Sequence, residues 1–131
     1  MDSGKAPQDT LMEALGIEIV ELEEDRVVAT MPVMGATRQP FGRLHGGASV
    51  ALAETAASVG TYHLIDREHQ QAVGLEINAN HLRGISEGLV RAVAVPLHKG
   101  RRTMVCDIKI SDEKERLICV SRCTMAIIDL K

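Results

Sequence analysis

From Thr10 onward the chain alternates apolar runs with polar breaks, and the spacing of those runs predicts its elements. Asp9 or Thr10 caps a short helix over "TLMEALG", which Gly16 ends. The next segment, "IEIVELEEDRVVATMPV", reads as a hairpin. Ile17, Ile19 and Leu22 lie on one arm, Val27, Val28, Ala29 and Met31 on the other, and "EEDR" makes the turn. Gly35, Pro40 and Gly42 mark residues 34–44 as loop. The run from Gly46 to about Leu64 is too long for one strand, and its alanines favour helix. After "DREHQ" the pattern switches to period two, with Val73, Leu75, Ile77 and Ala79 alternating with Gly74, Glu76, Asn78 and Asn80. Three further strands follow, "GLVRAVAVPLH", "RRTMVCDIKIS" and "RLICVSRCTMAII", with turns at "ISEG", "HKG" and "DEKE".

This order predicts an α+β domain over residues 1–131, an antiparallel sheet packed on one long helix, behind a loose tail at 1–8. A six-stranded sheet would leave one face and an edge open, so a homo-oligomer is expected.

Composition narrows the function classes. Aromatic residues make up 2% of the chain (Phe41 and Tyr62, no Trp), so the core is aliphatic. A net charge of −3, with no basic run and no aromatic platform, argues against a nucleic-acid partner. Cys106, Cys119 and Cys123 form no CxxC pair. Cys119 and Cys123 would lie about 13 Å apart on one strand, too far for a disulfide. Reduced thiols point to the cytoplasm. The start, "MDSGKAPQDT", lacks the apolar core of a signal peptide, and residues 46–65 contain Glu54 and His63, a poor fit to a membrane span.

Glu54 is the one carboxylate in the long helix. By itself a single Glu reads first as a residue on a solvated stripe or a buried carboxylate satisfied by Ser58 or Thr55, and the functional reading is a buried general base or nucleophile. The helix start separates these readings. "HGG" leaves backbone N–H groups uncovered at the positive end of the helix dipole, where they suit a developing oxyanion, although capping alone would also explain a glycine there. Together the two features suggest attack on an activated carbonyl. Gly46 and Glu54 are eight residues apart, about 12 Å along the axis, so one carbonyl cannot easily meet both groups of one helix. Two helices related by a twofold axis could supply them, one from each subunit.

"QPFGRLHGGASVALAE" followed by "VGLEINANHLR" closely resembles the hotdog-fold acyl-CoA thioesterases of the PaaI-like group, over roughly residues 11–128. Within that group the sequence resembles the 1,4-dihydroxy-2-naphthoyl-CoA (hydroxyaryl-CoA) type. The resemblance implies a sheet wrapped around the central helix and a dimer of dimers with the active site shared between two subunits. It implies Glu54 as nucleophile or general base and the Gly46 N–H as oxyanion donor. Gln39 and His45 then flank the thioester, Ser58 helps hold the water, and His81 lies at the acyl end. Alternation along its strand, taken alone, would make His81 an outward-facing surface residue. As a zinc ligand His45 lacks any accompanying HExxH or Cys/His cluster, and no metal or cofactor is expected, CoA being part of the substrate. His63 and His69 flank a loop and are expected to be solvated.

CoA carries phosphates that need cations and backbone donors. "HKGRRT" offers His98, Lys99, Gly100, Arg101, Arg102 and Thr103, and Arg83 adds a cation between Leu82 and Gly84. An ordinary basic hairpin turn would look the same. The resemblance puts the nucleotide near both segments, with Gly74 close by. The expected activity is hydrolysis of an aromatic acyl-CoA such as 1,4-dihydroxy-2-naphthoyl-, hydroxybenzoyl-, gentisyl- or phenylacetyl-CoA. The alternatives are a non-catalytic acyl-CoA-binding protein and a proofreading thioesterase on carrier-protein thioesters. A hydratase would want an Asp–His pair, and no such motif occurs.

Overall fold

The computed structural model describes residues 8–131. Most of the tail expected at 1–8 therefore lies outside the described residues. Helix α1 (Leu11–Leu15) is capped by the Thr10 hydroxyl, which accepts from the Glu13 N–H, and ends at Gly16 with φ +72°, where glycine costs least. The strands are β1 (Glu18–Leu22), β2 (Val27–Pro32), β3 (Gln70–His81), β4 (Leu89–Lys99), β5 (Thr103–Ser111) and β6 (Leu117–Asp129). Helix α2 spans Gly46–Leu64. Within the predicted loop at 34–44 the chain makes one 3₁₀ turn, Gly35–Thr37, and a single bridge between Arg38 and Leu44.

All six strands join one antiparallel sheet in the order β1-β2-β4-β5-β6-β3. Helix α2 lies across one face of it and touches every strand. The helix can lie close because its inner face is small. Leu52, Ala53, Ala56 and Ala57 are fully buried against Ala92, Cys106, Ile108, Ile110 and Cys123. At Gly60 the approach is tightest: a Cβ there would stand 2.9 Å from Val27 Cγ2. Among the described residues no helix is long and apolar enough to cross a membrane.

The outer face of α2, with Val50, Ala51, Glu54, Thr55, Ser58 and Val59, is only half-buried. Strand β3 is a sheet edge twelve residues long, so one row of its backbone groups has no strand beside it. Its side-chain pattern departs from simple alternation. A bulge between Gly74 and Glu76 shifts the phase, leaving Val73 and Leu75 39% and 64% exposed while Ile77 and Ala79 turn to the core.

Candidate active site

The start of α2 is built from a pinned loop. Thr37 is fully buried; its hydroxyl accepts from the Met34 N–H at 3.0 Å and donates to the Pro32 carbonyl at 2.8 Å. The Thr37 carbonyl accepts the His45 N–H at 2.8 Å, and the Leu44 N–H reaches the Ile85 carbonyl at 2.8 Å. Gln39 folds its side-chain carbonyl back to accept from the Phe41 N–H, and its backbone N–H donates to the Arg43 carbonyl at 2.7 Å. Its amide NH₂ has no partner among the described residues.

His45 is the helix N-cap, its Nδ1 accepting from the Gly47 N–H at 2.8 Å. Both glycines of "HGG" are explained by imidazoles. A Cβ on Gly47 would lie 2.9 Å from the His45 ring, and one on Gly46 would lie 2.9 Å from His81 Nε2. The first-turn N–H of Gly46 has no intrahelical acceptor and makes no hydrogen bond among the described residues. It borders a cavity of about 360 Å³ whose lining includes Gln39, His81, Leu82, Arg83 and Gly84. His81 is therefore not the outward-facing residue that alternation suggested: it shares the helix-facing side with Ile77 and Ala79 and closes over the helix start.

Glu54 stands two turns further along α2, bordering a second cavity of about 310 Å³ with Ser58, Thr55, Val59 and, from α1, Leu11 and Met12. No described residue donates a hydrogen bond to its carboxylate; the Thr55 hydroxyl donates instead to the Ala51 carbonyl at 2.7 Å. The carboxylate is thus neither satisfied by Thr55 nor by Ser58. It lies against the bare backbone of Gly74, where a Cβ would come within 2.5 Å of Oε2. Gly74, expected beside the nucleotide, is within this chain the neighbour of Glu54. Burial pushes the Cys123 thiol up to about 12, and the negative charges of Glu54, Cys106 and Glu76 push the same way.

One chain does not unite the predicted site. Gln39, Gly46 and His81–Gly84 gather at the helix start, while Glu54, Ser58 and Gly74 gather midway along it. The basic turn is farther away. Thr103 pairs with Ala126, which pairs with Val73, so His98–Thr103 lies at the opposite end of the sheet from His81, roughly 26 Å along β3. A single nucleotide cannot rest on both basic segments of one chain. Gly100 is required in that turn, because a Cβ would come 2.8 Å from the Thr103 carbonyl oxygen. Lys99, Arg101 and Arg102 have no carboxylate partner among the described residues. Sequence reasoning missed Thr37 and the closeness of Cys123 to Glu54. Nothing in the sequence marks Thr37, while Cys123 becomes visible only through the strand register.

A sheet wrapped on one helix, with a free N–H at the helix start and an unbonded carboxylate further along, is the arrangement of a hotdog thioester hydrolase. The comparisons agree. Residues 41–119 match the family model described as Thioesterase superfamily. A Bacillus subtilis (strain 168) protein named as an esterase, ComA2, is 66% identical over 119 residues, covering 91% of this chain and 94% of that one. The 1,4-dihydroxy-2-naphthoyl-CoA hydrolase of Escherichia coli (strain K12) is 54% identical over 114 residues, covering 87% and 83%. Proofreading thioesterase EntH of Cronobacter turicensis is 52% identical over 118 residues, covering 90% and 85%. The crystal structure of a mutant thioesterase PA1618 from Pseudomonas aeruginosa superposes with a TM-score of 0.92 at 44% identity, covering 94% of this chain and 88% of that one. The chain belongs to the thioesterase superfamily and is a thioester hydrolase.

Proposed function

We propose that the protein hydrolyses aromatic acyl-CoA thioesters at two equivalent sites of a dimer, each made from the helix start of one subunit and Glu54 of the other. The observation that carries this reading is the separation of two unsatisfied groups on one helix: the Gly46 N–H and the Glu54 carboxylate border different cavities. A twofold partner docked along the β3 edge would cover Val73 and Leu75 and satisfy the open backbone row. Antiparallel pairing of two β3 strands also sets opposite ends of the two sheets side by side. His81–Gly84 of one subunit then meets the basic His98–Thr103 turn of the other, and one CoA can span both.

In that site the Gly46 N–H donates to the thioester oxygen. Glu54 acts either as base on a water that attacks the carbonyl carbon or as the attacking nucleophile itself. The carbonyl π pair moves onto oxygen, where the helix start stabilises it. Collapse breaks the C–S bond and the CoA thiolate leaves. Where water attacked, the acid is formed at once; where Glu54 attacked, a water then hydrolyses the acyl–Glu54 anhydride to the acid and the restored carboxylate. In both cases the free acid and CoA thiol carry away the elements of water. Ser58, one turn from Glu54, orients the water; Gln39 and His45 flank the thioester. No metal or cofactor enters these steps. The naphthoyl-CoA hydrolase name among the relatives favours an aryl-CoA substrate, and the EntH name favours a second reading, proofreading of carrier-protein thioesters.

The test is complementation. Glu54→Ala lowers kcat about 10³-fold with KM little changed. Gln39→Ala disables the helix-start half of the site without placing an atom against His81, as any side chain on Gly46 would. Mixed and reassorted, the two inactive variants regain about a quarter of wild-type activity, because half the dimers are mixed and each holds one intact site. No regain would place both groups of each site in one subunit and refute the composite arrangement. No hydrolysis of any acyl-CoA by the wild type, with CoA still bound, would favour a binding protein.

A further inference from the structure

The groove that holds Glu54 continues past it. At one end α1 closes it with Leu11 and Met12. At the other, Val59 is shared with a further cavity of about 300 Å³ lined by Leu22, Val59, Tyr62, His63 and Arg67. Glu54, Ser58 and Tyr62 recur every four residues, so they line one face of α2 at about 6 Å per step. An acyl group whose carbonyl meets Glu54 has this further cavity within reach, toward Tyr62. The volume is at the low end of small-molecule sites, suited to a ring rather than a long chain.

The far wall of this cavity is polar and cationic. The Arg67 guanidinium lies over the Tyr62 ring, 5.5 Å from its centroid. None of its N–H groups has an acceptor among the described residues. The adjacent Asp66 does not neutralise it, since that carboxylate is bound to His69 Nδ1 at 2.8 Å. A planar donor fork held on an aromatic face, beside the apolar Leu22 and Val59, is suited to meet an oxygen.

We propose that Arg67, seated on Tyr62, is a specificity-determining residue that reads an acidic oxygen, a phenol or carboxylate, on the far side of an aryl acyl group. This rests on the aryl-CoA reading above and deepens it. The consequence is a preference for ring-oxygenated over unsubstituted aryl thioesters, expressed through Arg67 and independent of the chemical step.

The experiment compares kcat/KM for 4-hydroxybenzoyl-CoA and benzoyl-CoA in the wild type, Arg67→Ala and Arg67→Lys. Arg67 is exposed, and thermal unfolding checks that each variant folds. The wild type prefers the hydroxylated substrate. Arg67→Ala reduces that preference about tenfold, mostly through KM, and Arg67→Lys restores part of it. If the wild type hydrolyses both thioesters and Arg67→Ala keeps the same ratio, this inference is overturned while the aryl-CoA reading stands. If the wild type hydrolyses neither of these nor 1,4-dihydroxy-2-naphthoyl- or phenylacetyl-CoA, the aryl-CoA reading falls and carries the inference with it.

Discussion

Gly74→Ala isolates the position of Glu54 from its chemistry. The added Cβ would stand 2.5 Å from Glu54 Oε2 and 3.4 Å from Cδ, where ordinary contact begins near 3.4 Å. The carboxylate must therefore retreat by about 0.9 Å. The fold itself is not strained, since the obstructing atom is the tip of a flexible side chain and Gly74 has no positive φ. Restricting the unfolded chain should even add about 0.4–1 kcal/mol of stability. Misplacing a reacting group by about 1 Å costs on the order of 10² in rate, or about 2.7 kcal/mol of barrier. The expected result is a kcat lowered about 10²-fold with a melting temperature held or slightly raised. Release of free CoA thiol reports the rate, and Gly35→Ala, whose Cβ meets nothing within 4 Å, is the control for the same chemical change. The shorter side chain of Glu54→Asp withdraws from the clash, so the double variant should lose less than the two single losses combined. A Gly74→Ala enzyme within threefold of wild-type kcat would refute the reasoning, because Glu54 would then tolerate displacement no reacting group tolerates.

Three further outcomes follow from the same geometry. Arg101→Ala and Arg102→Ala should each raise KM for the CoA thioester severalfold with kcat kept, the effect fading at high salt; a fall in kcat alone would remove the turn from substrate binding. Burial pushes Cys106 up to about 11 and Cys123 up to about 12 and raises Cys119, so at pH 8 the native protein should resist thiol alkylation and yield three equivalents only when denatured. At Asp112 desolvation pushes the carboxyl up, but the Arg116 N–H and guanidinium and the Lys114 N–H outweigh it and hold it below its usual 3.8. A depressed folded value stabilises above the unfolded pKa and is lost as pH falls through the folded one, so thermal scans should show Asp112→Asn costing stability at pH 7 and little once pH is well below 3.8.

What the sequence determined by itself is everything that local chemistry can specify. Thr10 and Gly16 bound α1, the alanines and the "HGG" opening bound α2, and the glycine and charge breaks separate the strands, because caps, turns and periodicity act within a few residues. The motif pair around Gly46 and Glu54 made the thioesterase family legible. Tertiary structure decided the rest. A bulge at Gly74 depends on the partner strand, so no period-two count could reveal that Val73 and Leu75 face outward, and the contact of His81 with the helix start depends on where the helix lies on the sheet. The closeness of Cys123 to Glu54, and of Gly74 to its carboxylate, follows from sheet register and helix placement rather than from spacing. Strand register sent the His98–Thr103 turn to the far end of the sheet from His81, so the two basic segments of one chain lie too far apart to meet on one nucleotide.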